Sequence, residues 1–340
     1  MTGHVLAARC DSLGDVLLTG PALRALRAGA GRLTLLCGPR GRAAAELLPA
    51  VDAVRTWHTP WIDAEPKPVD PAAVDELVAW ARAEGFDHAV IFTSFHQSPL
   101  PLALLLRLAG VPRISAISVD FPGSLLDLRH RVGDDVHEVQ RALSLAHAAG
   151  FALPGGDVGR LRVRRPGAAP PVAGPYVVVH PGTSVPARAW APEHHRALVI
   201  RLAAQGRSVV VTGAADERAL TASVAGDDAL DLGGALSLPQ LADVLAGADA
   251  VVVGNTGPAH LAAAVGTPVV SLFAPTVPAA RWRPWAVPHE LLGIEVPCAG
   301  CRARECHAPG HPCLDDLTPD AVADALERLA PAIDREEVWA

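Results

Sequence analysis

Short apolar runs alternate with helical patterns along nearly the whole chain, and the alternation breaks once and restarts. In the first half the strand-like runs are 4–9, 33–37, 51–57, 88–93 and 113–118. Helical patterns follow at 15–28, 42–48, 71–84, 100–109 and 137–150. Strands that are apolar on both sides need helices on both sides, so the pattern predicts a parallel α/β sheet. The break runs from Arg164 to Pro175 and is almost all Pro, Gly and Ala. It has no periodicity and cannot continue a helix or a central strand. We read 166–175 as a linker between an N-terminal domain, 1–165, and a C-terminal domain, 176–340. After it the strands are 176–180, 208–212, 229–232, 250–254 and 269–273. The helices are 192–205, 215–224, 238–246, 258–265 and 319–330. Two doubly wound domains around a linker imply a cleft, and such sheets bind ligands beyond the carboxyl ends of their strands. The strand-to-helix loops are therefore where chemistry is expected.

Composition narrows the function classes. A chain of 340 residues, half of them hydrophobic, can bury two cores of ordinary size. The net charge of −7 gives no overall basic field and argues against a generic nucleic-acid binder. The charge is uneven: residues 1–165 carry 18 basic and 17 acidic side chains, and the rest carry 11 and 19. Attraction for an anionic acceptor would have to come from the first half. No apolar uncharged run reaches the length of a membrane span. The opening residues read as a strand rather than a signal peptide. Six cysteines in such a chain point to a reducing, cytoplasmic location.

Five loops carry residues able to do chemistry. The first, Cys10-Asp11-Ser12-Leu13-Gly14-Asp15, places two carboxylates between the first strand and the first helix. Asp11 or Asp15 could simply cap that helix; the alternative is a general base. The second, His180-Pro181-Gly182-Thr183-Ser184, offers a close backbone approach and two hydroxyls to an anion near a helix N-terminus. It is neither a P-loop nor a GxGxxG turn, which weakens a nicotinamide reading. Arg188 follows it, an ordinary surface charge or a clamp for a leaving phosphate. The fourth loop holds Asp216 and Glu217, either first-turn charges or acceptors for ribose hydroxyls. The fifth, Gly254-Asn255-Thr256-Gly257-Pro258-Ala259-His260, enters a helix through Pro258 and exposes free N–H groups beside Asn255 and Thr256. His260 in that first turn is structural or a ligand contact.

Cys298, Cys301, Cys306 and Cys313 form a C-x2-C-x4-C-x6-C cluster interleaved with His307 and His311. Zinc and iron–sulfur sites use thiolates at such spacings, but a zinc ribbon would have a second CxxC pair. A reduced or redox-labile loop is the competing reading. No Asp-x-Asp pair occurs, so no Mg-phosphate motif is present.

Four segments in order resemble glycosyltransferase family 9, the ADP-heptose:lipopolysaccharide heptosyltransferase family. They are Asp11–Asp15, then His180-Pro181-Gly182 with Pro186-Ala187-Arg188-Ala189-Trp190, then Gly254–Ala262, and the cysteine tail ending at Cys313. The resemblance implies a GT-B architecture: two Rossmann-like doubly wound domains facing a central cleft, acceptor on the first and nucleotide-sugar on the second. It implies an inverting transfer without metal held by Asp-x-Asp. Carried over by position, Asp15 is the general base. Thr183, Ser184 and Arg188 contact the diphosphate, and Glu217 the ribose. Asn255, Thr256, Gly257 and His260 form the diphosphate-sugar loop. Cysteine tails are frequent in the family, so the cluster is expected to hold no dedicated metal, and no cofactor is expected. This chain departs from the family in two places, with Arg188 where Lys is usual and Asn255 where Asp is frequent.

The predicted activity is therefore transfer of a sugar, heptose by resemblance, from ADP-heptose to a hydroxyl of a glycan, glycolipid or small molecule. A peripheral contact with the inner face of the membrane is compatible with that reading. A nucleotide-sugar epimerase or hydrolase would suit the same architecture, as would a catalytically silent nucleotide-sugar-binding protein. Asp15 argues for the transferase.

Overall fold

The computed structural model describes residues 2–63 and 65–331. The chain divides into two compact units, with the boundary between Arg164 and Arg165. In the first unit β1 (Thr2–Arg9), α1 (Leu13–Gly29), β2 (Ala30–Cys37), α2 (Arg42–Leu47), β3 (Ala53–Thr56) and α3 (Pro71–Glu84) come in order. They are followed by β4 (His88–Ile91), α4 (Leu100–Leu108), β5 (Ile114–Ile117), β6 (Leu128–His130) and α5 (Glu138–Ala148). The second unit has β7 (Tyr176–His180), α6 (Pro192–Ala204), β8 (Ser208–Val211), α7 (Arg218–Ala225), β9 (Leu230–Asp231) and α8 (Leu238–Ala246). It continues with β10 (Ala250–Gly254), α9 (Gly257–Val265), β11 (Val269–Leu272), α10 (Ala279–Trp282), β12 (His289–Leu292) and α11 (Pro319–Leu329).

Each unit is built on a six-stranded parallel sheet, in the orders β3-β2-β1-β4-β5-β6 and β12-β11-β10-β7-β8-β9. Counted within each unit, the two orders are the same 3-2-1-4-5-6 of the doubly wound fold. The order reverses between β1 and β4 in the first unit and between β7 and β10 in the second. Loops leaving those four strands frame each unit's crevice. The central strands are the most apolar, as burial on both faces demands: Val5, Leu6 and Ala7, and Val251 to Val253, have no exposed surface.

Helix boundaries follow local chemistry. Helix α3 starts with Asp70 accepting from the Ala72 N–H at 3.0 Å, with Pro71 behind it, and ends at Gly85 in the left-handed region (φ 63°). Such a cap contributes about 1 kcal/mol. Trp190 is in the core of the second unit and donates its indole N–H to the Leu317 carbonyl at 3.0 Å. The segment after the boundary is pinned to α8: the Asp243 carboxylate accepts from the N–H groups of Gly167 and Ala168 and pairs with Arg165 at 3.0 Å.

The sequence reading did not include β6 and β12. Both are edge strands of three or four partly exposed residues, too short and too polar to show a both-faces-buried run. The helix predicted over 215–224 is a 3-10 turn, Ala215–Glu217, leading into α7.

Candidate active site

The carboxyl end of β1 carries a buried charge cluster. Arg9, 2% exposed, points its guanidinium at three carboxylates. Its Nε lies 2.7 Å from Asp11 Oδ2, its Nη2 3.0 Å from Asp15 Oδ1, and its Nη1 3.2 Å from Glu138 Oε2. Arg9 Nη2 also donates to Ser94 Oγ at 2.9 Å, at the end of β4. Ser94 and Gln97 both donate to the Asp11 carboxylate. Ser12 Oγ donates to Asp15 Oδ2 at 2.7 Å.

The N-cap residue of α1 is neither Asp11 nor Asp15, and Asp15 lies in the first turn of the helix. Ser12 is the N-cap residue, and Asp11 is held by Arg9 instead. A fixed guanidinium competes better for a buried carboxylate than a helix N–H does. Asp15 is the most open of the three carboxylates, with 16% side-chain exposure against 6% for Asp11 and 1% for Glu138. Burial pushes the Asp11 and Glu138 carboxyls upward, and Arg9 opposes that shift. Burial acts against the Arg9 charge too, but the carboxylates outweigh it and raise its proton affinity.

In the second unit, β7 and β10 end at the two polar loops. His180 is fully enclosed and its pKa is pushed down to about 4 by burial, so it is a neutral ring near pH 7. It shares a 2.9 Å hydrogen bond with Thr212 Oγ1 on the neighbouring strand's loop. Gly182 follows it against the Glu217 carboxylate, and a Cβ there would overlap that group. Glu217 Oε2 accepts from the Ala214 N–H at 2.7 Å. The β7 and β8 loops are thus packed together through Glu217. Thr183 is half-buried and forms a local turn with Val185, while Ser184 is exposed.

Arg188 closes a 3-10 turn, Pro186–Arg188, and reaches two further loops. Its Nε donates to Thr276 Oγ1 at 3.1 Å, after β11, and its Nη1 lies 3.5 Å from the Asn255 carbonyl, after β10. Asn255 is 7% exposed, and neither atom of its amide has a hydrogen-bond partner among the described residues. Thr256 is the N-cap residue of α9, and its hydroxyl makes no cap bond among the described residues. Gly257 opens the helix, and His260 is buried in its first turn. Unsatisfied amide atoms, an uncommitted hydroxyl, a helix N-terminus and a guanidinium in one place suit a polar anionic ligand.

The cysteine tail lies against the Arg188 turn. The Ala187 N–H donates to the Arg304 carbonyl at 2.9 Å, and His311 Nε2 lies 3.1 Å from the Ala187 carbonyl. Cys298, Cys301, Cys306 and Cys313 are free thiols that line one cavity of about 220 Å³, with Ala187, Thr276 and His311 among its walls. Burial pushes the Cys313 thiol up to about 11, and the other three cysteines push in the same direction. Among the described residues no group of three or more His, Cys, Asp or Glu is arranged to hold a metal ion.

The structure brings Thr183, Ser184, Arg188, Glu217, Asn255, Thr256, Gly257 and His260 onto the loops around one sheet's switch point. Asp15 stands at the switch point of the other sheet. Sequence reasoning missed Arg9, Ser94, Glu138 and Thr276. Arg9 and Glu138 ended a strand and began a helix, with no loop motif to mark them.

The sequence profile of glycosyltransferase family 9 (heptosyltransferase) matches residues 84–311. The chain belongs to glycosyltransferase family 9. It is 34% identical over 261 residues to the lipopolysaccharide heptosyltransferase 1 of Pseudomonas aeruginosa, covering 68% of this chain and 72% of that one. It is 28% identical to lipopolysaccharide heptosyltransferase 1 of Escherichia coli O18:K1:H7, over 96% of this chain and 98% of that one. This glycosyltransferase also shares its fold with solved structures. The E. coli ADP-heptose lps heptosyltransferase II superimposes with a TM-score of 0.75 at 20% identity, over 96% of this chain and 98% of the other. The E. coli heptosyltransferase WaaC with ADP-2-deoxy-2-fluoro heptose gives 0.71 at 23% identity, over 96% and 100%. The family 9 glycosyltransferase has the GT-B fold class, with two Rossmann-like sheets. No helix among its described residues is long and apolar enough to cross a membrane.

Proposed function

We propose that this glycosyltransferase moves heptose from ADP-heptose to a sugar hydroxyl of a lipopolysaccharide-type glycolipid, inverting the anomeric centre. The observation that carries this reading is the distribution of polar groups between the two switch points. One holds a partly exposed carboxylate, Asp15, and the other holds Arg188 beside the Asn255 amide, unsatisfied among the described residues, and the α9 N-terminus.

The chemistry is a single displacement. The acceptor oxygen attacks the anomeric carbon as the bond to the β-phosphate oxygen breaks, and ADP leaves. Asp15 takes the hydroxyl proton as the new bond forms. Charge grows on the departing diphosphate. Arg188, the Thr183 and Ser184 hydroxyls and the α9 N-terminus with Thr256 and Gly257 offset it. Asn255 and His260 contact the sugar or its phosphate, and Glu217 accepts from ribose hydroxyls. On this reading the first unit binds the acceptor and the second the donor. The reaction belongs at the cytoplasmic face of the inner membrane, where a glycolipid acceptor is reached without spanning the bilayer.

Two measurements test this. In a thermal-shift comparison of nucleotide-sugars, a ligand at 100 times its Kd stabilises by about 2.7 kcal/mol. ADP-heptose is expected to give the largest shift, and a larger shift with a uridine sugar would overturn the donor assignment. NMR of the product's anomeric proton reads the stereochemistry, and retention would rule out the single displacement.

A further inference from the structure

The Arg9 cluster sets three carboxylates against one guanidinium, with Arg141 a second cation acting on Glu138. Three carboxylates share one guanidinium, and Asp11 and Glu138 are almost wholly enclosed. Glu138 Oε1 is buried and has no hydrogen-bond partner among the described residues, although Oε2 of the same carboxyl contacts both Nη atoms of Arg9. Glu138 also sits at the first position of α5, which packs on α1. A carboxylate there suits the first turn of α5 and pairs with the buried Arg9, at a desolvation cost. Its position makes sense through what it does to Arg9, and through Arg9 to Asp15.

We propose that Arg9 is a positioning residue that aims Asp15, and that Glu138, by competing for the same guanidinium, sets how strongly Asp15 holds a proton. This rests on the reading of Asp15 as the base. Arg9 Nη2 is the shared atom: it lies 3.0 Å from Asp15 Oδ1 and 3.3 Å from Glu138 Oε2. A carboxylate paired with an arginine it need not share is a weak base, because the cation favours its ionised form. Dividing the guanidinium among three carboxylates dilutes that effect, and the extra negative charges push the other way. Arg9 and Ser12 meanwhile fix the direction of the Asp15 carboxylate. The burial-driven upward shift of Glu138 and the contribution of Asp15 to it agree with this coupling. The other charged or titratable groups that act on the cluster are His96 from the loop after β4 and Arg141 in the first turns of α5; the His137 ring beside Glu138 accepts from the Val139 N–H.

The test is the pH profile of kcat/KM for Glu138→Gln, with Arg9→Lys and Asp15→Asn beside it. Glutamine keeps the shape of Glu138 and removes its charge. The acid limb is then expected to move down by on the order of one pH unit, because Asp15 gains a larger share of Arg9. Lysine keeps the Arg9 charge but reaches fewer of the three carboxylates. Asp11 and Glu138, the more enclosed two, retain it, so the limb is expected to move up, with the donor KM unchanged. A merely structural cluster would lower the rate at every pH without moving the limb. A limb that stays in place in both folded variants, or moves in the same direction in both, overturns the inference. If either variant does not fold, the direction in the other decides. The Asp15→Asn variant separates the two failures. Its rate collapsing while Glu138→Gln leaves the limb unmoved sinks this inference alone, and near-normal transfer by Asp15→Asn sinks the base assignment with it.

Discussion

The carboxylate of Glu217 stands where a Cβ on Gly182 would have to be. A loop from β7 and a loop from β8 are in this way locked side by side, with Glu217 also accepting the Ala214 N–H. The glycine of the His180-Pro181-Gly182 segment lets the Glu217 carboxylate sit directly against the backbone.

Gly182→Ala should therefore push the Glu217 carboxylate aside and loosen its bond to the Ala214 N–H, at a cost of up to about 1 kcal/mol because the displaced group is the mobile end of a side chain. Adding Glu217→Ala should restore part of the stability, because the clash partner is gone. A double-mutant cycle by chemical denaturation measures the coupling. Additive effects would show that the two residues do not press on one another.

Arg188→Ala is expected to weaken donor binding by on the order of 1.5–3 kcal/mol through loss of charge-assisted bonding. Arg188→Lys should recover part of that loss, since the charge remains but the fork does not. Thr276→Val, which removes only the acceptor at Arg188 Nε, should be milder than either. Calorimetry with the nucleotide-sugar reads all three, and unchanged binding in the alanine variant would refute the assignment.

Asp15→Asn should lower transfer by roughly 10²–10⁴-fold with donor affinity intact. Asp11→Asn is the control. Asp11 is nearly enclosed and engaged with Arg9, Ser94 and Gln97, so its substitution should mainly affect stability. A collapse of transfer confined to Asp11→Asn would move the role to that residue.

Stability should depend on the buried histidines. Burial holds His180 and His88 down to about 4 and His195 to about 3, below their unfolded value of 6.5. As the pH falls below 6.5 the unfolded chain takes up these protons first. Each ring then costs up to roughly 1.4 kcal/mol per pH unit until its folded value is reached. Asp11 and Glu138, shifted upward, work in the opposite direction. The clean comparison is therefore His195→Leu against the parent, in urea midpoints between pH 7 and pH 5. The variant should lose less stability over that range, and parallel slopes would contradict the burial argument. His195 Nδ1 makes no hydrogen bond among the described residues, so an apolar replacement leaves no partner stranded.

Transfer is expected to survive chelators, and elemental analysis to show much less than one zinc or iron per chain. Cys298→Ser and Cys301→Ser should keep activity. Stoichiometric metal, or activity lost to a chelator, would overturn this. His311→Ala is the informative contrast, because His311 touches the backbone that carries Arg188. It should raise the donor KM more than either serine variant does.

By itself the sequence determined the fold class, the central strands and most of the candidate loops. β1, β7 and β10 are apolar runs because both faces of a parallel sheet are covered, and that leaves a linear trace. The loops that hold Asp15, Arg188 and residues 254–260 were marked for a related reason: a turn that leaves a strand and enters a helix needs Gly, Pro and small polar residues, while the roles of Asp15 and Arg188 came from the family resemblance. The edge strands β6 and β12 left no such trace, being short and half-solvated. Only the tertiary structure decided which charges meet. Arg9 and Glu138 are 129 positions apart in the chain and 3.2 Å apart in space. Each is unremarkable in its local window, and their pairing exists because α5 packs on α1 beside the end of β1. The same holds for Thr276 and Arg188, joined across 88 positions by the order of strands in the second sheet. Periodicity reports how each segment is buried, whereas the field at a carboxylate depends on neighbours that folding brings from far along the chain.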